Sequence, residues 1–126
     1  MSNETNELMD YLFRIAKKSI AGEIPWDQPN PSTFQWVQRA DGDIFLVTIQ
    51  KSAAPIGARG LRSLAEAREN LAYLFQVQNK ANKQISISLL SKERPDVLEA
   101  LAEIYHGAEK GMDVRATSIL RKLLNE

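Results

Sequence analysis

A chain of 126 residues, 44% apolar and 25% charged, matches one folded domain with its own core rather than a disordered tail. Its sixteen basic and sixteen acidic side chains cancel, so no overall field draws it to nucleic acid or to a membrane surface. The absence of cysteine excludes thiol catalysis, disulfides, zinc ribbons and iron–sulfur clusters, and fits a reducing compartment. Met1–Glu7 lacks the basic start of a secretory signal, and no apolar run approaches the ~20 residues of a membrane span. The expectation is a single cytoplasmic domain over residues 1–126, without disulfide, metal or cofactor.

In chain order, Leu8, Leu12, Ile15, Ala16 and Ile20 recur at three- and four-residue intervals, with Met9 and Phe13 widening the stripe. This spacing predicts an amphipathic helix over Thr5–Ala21, closed by Gly22 in a left-handed cap. Glu23-Ile24-Pro25-Trp26 is extended by its proline, and Asp27–Pro31 reads as a loop. Thr33–Arg39 and Ile44–Gln50 alternate aromatic and β-branched residues with polar ones, and Ala40-Asp41-Gly42-Asp43 between them predicts a hairpin turn. Lys51–Gly60 reads as a loop. The stretch that follows has two readings. Ser63-Leu64-Ala65-Glu66 resembles a capping box opening a helix, whereas Leu71, Tyr73, Phe75 and Val77 alternate as in a strand. A helical turn near Leu64–Glu69 followed by a second hairpin is preferred, with Gln84–Leu90 as its returning strand. Pro95 then leads into a helix capped near Asp96, with Val97, Leu101, Ile104, Tyr105 and Ala108 as its stripe. Gly111 is expected to break it and Asp113 to cap a last helix carrying Ala116, Ile119, Leu120, Leu123 and Leu124. The predicted fold class is α+β: an N-terminal helix, a four-stranded antiparallel meander and two C-terminal helices around one core.

Gly22-Glu23-Ile24-Pro25-Trp26 after the first helix, then strand hairpins, then Leu101–Tyr105 and Ile119–Leu123 resemble small uncharacterised bacterial α+β proteins. Those pass from a helix through a Gly-x-Ile-x-Trp step into an antiparallel sheet and a terminal helix. The resemblance implies a fold and a bacterial or phage source, and carries no catalytic residues.

Few residues suggest chemistry. His106 is the only histidine; Glu103 and Lys110 lie a turn away, yet no nucleophile motif accompanies it. Asp41 and Asp43 lack the further oxygen ligands of a calcium loop and read as turn residues. No catalytic residue is assigned. Ile56-Gly57-Ala58-Arg59-Gly60 contains a Gly-x-x-Gly pattern that resembles the loop with which KH domains clamp a nucleic-acid backbone. In KH domains that loop joins two helices, whereas a strand precedes it here. If it acts so, Gly57, Arg59, Gly60 and Arg62, with Lys80 and Lys83, form a nucleic-acid site. The basic tilt of residues 31–95, nine basic against five acidic side chains, is consistent with it. Trp26, Arg59 and Arg62 are the candidate anchors for a protein partner, although Trp26 also suits a lid over the sheet. With no coherent catalytic constellation, the expected function is a non-enzymatic interaction domain, such as an adaptor, inhibitor, immunity protein or accessory regulator. A nucleic-acid-binding module is the alternative. Homodimerisation through the last helix or a sheet edge is compatible with the sequence but not required by it.

Overall fold

The computed structural model describes residues 3–53 and 71–125, with side chains over 7–52 and 72–125. The fold is α+β. Helix α1 (Asn3–Ile20) is followed by strands β1 (Asp27–Asn30), β2 (Thr33–Ala40), β3 (Asp43–Ala53), β4 (Leu71–Asn79) and β5 (Ile85–Leu90), then helix α2 (Leu98–Leu123). The strands form one antiparallel sheet in sequence order, β1-β2-β3-β4-β5. Among the described residues no helix is long and apolar enough to cross a membrane.

The register explains which face is covered. Phe34, Ile49, Phe75 and Leu89 stand opposite one another across four strands, and all are buried. Cross-strand partners share a face and successive residues alternate, so Gln35, Thr48, Gln76 and Ser88 lie on the other face. Leu12 and Ala16 of α1 and Val97, Leu101, Ile104 and Ala108 of α2 complete the core on the Phe34 face. Tyr105 fastens α2 to the sheet. Its ring meets Phe34 and Tyr73 at centroid distances of 5.1 and 5.8 Å, its hydroxyl donates to Pro31 O at 3.2 Å, and the Lys51 ammonium sits 4.9 Å from the ring centre.

Two features correct the sequence-based fold, and a third agrees with its preferred reading. Asp27–Asn30 is a fifth strand, not loop, pairing Asp27 with Gln35 and Asn30 with Thr33. Pro29 is tolerated because β1 is an edge strand. The competition over Leu64–Gln78 resolves as strand from Leu71 onward; residues 64–70 lie outside the described residues. The two expected C-terminal helices are one. Gly111 does not break α2 because its missing side chain is what admits α1. A β-carbon there would overlap the Ser19 carbonyl oxygen, and one at Gly107 would lie 2.8 Å from Ala16 O and 2.9 Å from Ser19 Cβ. Asp113 is therefore mid-helix, and Asp96 pairs with Arg94 at 2.7 Å in a 3-10 turn (Pro95–Val97) instead of capping. The Asp41–Gly42 turn matches its expectation, with φ of +52° and +83° supplying the twist of a two-residue hairpin.

Candidate docking site

The glycine contacts give the relative direction of the helices. Ala16 meets Gly107, Ser19 meets Gly111 and Gly22 meets Val114, so α1 and α2 run parallel, and α1 ends beside Val114. Helix α2 continues to Leu123. Arg115 makes its last tie to the body of the protein, donating from a guanidinium nitrogen to Trp26 O. Beyond it every side chain from Ala116 to Asn125 is exposed. The eight helical residues from Ala116 to Leu123, at 1.5 Å each, extend about 12 Å past that anchor.

This extension is amphipathic. At 100° per residue, Ala116, Ile119, Leu120, Leu123 and Leu124 fall within an arc about 140° wide, while Thr117, Ser118, Arg121 and Lys122 occupy the remainder. The four large aliphatic side chains are 57–73% exposed. Arg121 and Lys122 lie on opposite flanks of the stripe, and no ion pair among the described residues engages either. Helix-favouring Leu, Arg and Lys keep the segment helical without a partner, and its two cations suit the negative end of the helix dipole.

A second concavity lies between α1 and β2. It encloses about 460 Å³, walled by Tyr11, Ile15, Ile24 and Trp36, with Arg14 and Lys18 at its mouth. Arg14 is already engaged by Asp10 at 2.8 Å and stacks over Tyr11, and the Trp36 indole N–H donates to Gln38 at 3.2 Å. The groove therefore presents Lys18 as its unengaged cation among the described residues, with too few convergent polar groups to define a ligand.

Of the partner and nucleic-acid candidates singled out in the sequence, only Trp26, Lys80 and Lys83 lie among the described residues. Trp26, expected as a partner anchor, is only 2% exposed; its indole N–H donates to Ser19 Oγ at 2.8 Å and its ring meets Trp36 edge-on. Its lid reading is the one that matches the packing, because Pro25 turns the chain back over the helix–sheet seam. Gly57, Arg59, Gly60 and Arg62 lie outside the described residues. Lys80 and Lys83 are exposed at the β4–β5 turn, where Lys83 adopts φ +60°. His106 has a side chain 77% exposed, 3.7 Å from Glu109, and lines neither concavity above. Among the described residues no group of three histidine, cysteine or carboxylate side chains could hold a metal ion.

Three structural groups among the described residues titrate away from their ordinary values. Burial, reinforced by the Glu109 carboxylate, raises Tyr73 and Tyr105 above the ordinary tyrosine value; Tyr73 adds to the effect on Tyr105. The Arg94 hydrogen bond holds Asp96 below the usual carboxylate value. Neither arrangement offers a poised acid or base in a cleft.

The exposure of the apolar α2 end was hidden by its regular stripe, which looks like one more core-facing helix. A signal was present nonetheless. The stripe of Ala100, Ile104, Gly107, Gly111 and Arg115 that faces α1 continues onto Ser118 and Lys122, both polar, so the terminal leucines belong to a different face. No protein-family model, curated protein or solved structure matches this chain.

Proposed function

We propose that this chain is a protein-interaction domain that docks by laying the end of α2 into an apolar groove with acidic rims on a partner protein. The observation that carries the reading is the stripe Ile119, Leu120, Leu123 and Leu124, exposed in one arc beyond the last anchor of the helix. Its spacing is that of the anchors by which an amphipathic helix enters a groove. Covering those four side chains is worth roughly 4–8 kcal/mol before the cost of association, which suits a reversible partner. Arg121 and Lys122 on the two flanks favour carboxylates at the rims, where exposed charges set orientation and encounter rate more than affinity. Binding rather than catalysis is also favoured by the isolation of His106 in solvent.

The test is affinity capture from nuclease-treated lysate of the source cell, comparing the natural chain with Leu120→Asp/Leu123→Asp. Both side chains are solvated, so the variant should keep its fold while losing at least tenfold of the captured protein. A peptide of residues 113–125 should compete for the same partner. Capture unchanged by the double substitution would overturn the proposal. Retention of nucleic acid that nuclease abolishes would overturn it in favour of the basic-loop alternative.

A further inference from the structure

The two edges of the sheet are built differently. The β1 edge is four residues long and carries Asp27 and Pro29, the devices that stop an edge from pairing. The β5 edge, Ile85-Ser86-Ile87-Ser88-Leu89-Leu90, is six residues long, with neither charge nor proline. Ile85 is 50% exposed and Ile87 38% exposed, and among the described residues β4 is the sole neighbour of β5.

The ladder shows which backbone groups this edge offers. Ser91 N–H donates to Tyr73 O at 2.9 Å, so the pairs that exchange hydrogen bonds with β4 are Phe75 with Leu89 and Val77 with Ile87. The alternate residues, Ser88 and Leu90, turn their main chain away from β4. Consistently, Leu90 O accepts the Glu93 and Arg94 N–H groups of the following turn, and Ser88 has no main-chain partner across the ladder.

From this edge we infer that the chain pairs with a second copy of itself through β5, joining two sheets into one antiparallel sheet of ten strands. The register is fixed by three requirements. Outward-turned residues must face each other, opposed side chains must share a face, and the contact must be two-fold symmetric. Centring the axis on Ser88 satisfies all three, pairing Ser88 with the second copy's Ser88 and leaving the Leu90 N–H to donate to the second copy's Ser86, since Leu90 O is held by its own turn. It sets Ile87 against the second copy's Leu89 on the helix-covered face, covering the exposed isoleucine. Antiparallel pairing also puts the turn before β5, which carries Lys83, at the same end of the joint as the second copy's turn after β5, which carries Glu93. Both are exposed, and the symmetry repeats the pair. A six-residue strand pair buries less than a standard interface of about 800 Å² per partner, so association is reversible and concentration-dependent. Helix α2 starts just after β5 and ends beyond Trp26 next to β1, so the pair carries its two α2 ends at opposite extremes. It is therefore a bivalent form of the docking domain proposed above.

Sedimentation velocity of the purified chain, from low-micromolar to submillimolar concentration, tests the inference. The expected result is a monomer–dimer equilibrium abolished by Ser88→Pro, which removes an outward N–H and one exposed side-chain hydrogen bond from Gln76 and so leaves the monomer's circular dichroism unchanged. Lys83→Glu and Glu93→Lys should each weaken the dimer about tenfold, and the double reversal should restore it. Because the chain has no cysteine, Ser88→Cys introduces a single thiol. At the two-fold axis the opposed Cα atoms would lie about 5.5 Å apart, within disulfide reach, and mild oxidation should link the copies. Leu120→Asp/Leu123→Asp should leave the dimer intact, separating this inference from the docking role of α2. A chain monomeric throughout, or a dimer that survives Ser88→Pro, would overturn it.

Discussion

Replacing Gly111 by alanine should destabilise the protein, although the same change in an exposed helix stabilises it. In an ordinary helix interior, the gain is about 1 kcal/mol from helix propensity. Here the added methyl overlaps the carbonyl oxygen of Ser19, a backbone atom in the packed end of α1 that cannot rotate aside. Relief requires the helices to separate where Ala16, Ser19, Gly107 and Ala108 are all buried. Overpacking of that kind costs about 1–3 kcal/mol, the upper part of that range where backbone must move, so after the propensity gain the net loss should be about 1–2 kcal/mol. For a domain of this size that lowers Tm by roughly 4–10 °C. Thermal denaturation followed by circular dichroism reads it directly. Thr117→Ala, exposed on the same helix, serves as the control and should hold or raise Tm. A Gly111→Ala protein as stable as the natural one would refute the close parallel packing of α1 on α2, and with it the length of α2 that extends beyond α1.

Ser19→Ala should cost about 1–3 kcal/mol by chemical denaturation, because the buried Trp26 indole N–H loses its acceptor at 2.8 Å. Stability should decline on the alkaline side. Tyr73 and Tyr105 are raised in the folded state, so their contribution is intact below the unfolded tyrosine value near pH 10 and is lost as pH rises through the folded values. Tyr73→Phe should flatten that alkaline limb in a Tm-against-pH series.

The sequence carried the fold wherever a pattern was local. The α1 stripe ended by Gly22, the Asp41–Gly42 hairpin and the alternation of Ile44–Gln50 and Gln84–Leu90 each follow from side-chain period and turn chemistry, and each matches the structure. What escaped depended on a partner distant in sequence. Asp27–Asn30 is a strand only because Gln35 and Thr33 lie beside it, and two flanking prolines mask that pairing. Gly111 looks like a helix terminator until α1 is placed against it. The preferred lid reading of Trp26 agrees with its burial, but its acceptor, Ser19 in the preceding helix, could not be read from local pattern. The candidate site was less legible still. Leu120 and Leu123 have the spacing of core residues, and they lie uncovered because Arg115 is the last residue that ties the helix to the body of the protein.

The docking role of the α2 end is tested most directly by site-specific photo-crosslinking in the source cell. A photoreactive residue would be placed in turn at Ser118, Ile119, Leu120, Lys122, Leu123 and Leu124. The account predicts one protein adduct that is strong at Ile119, Leu120, Leu123 and Leu124 and weak at Ser118 and Lys122, following the helical arc. Adducts of equal strength around the helix, or none there while Tyr11 and Trp36 beside the α1–β2 groove crosslink efficiently, would contradict it.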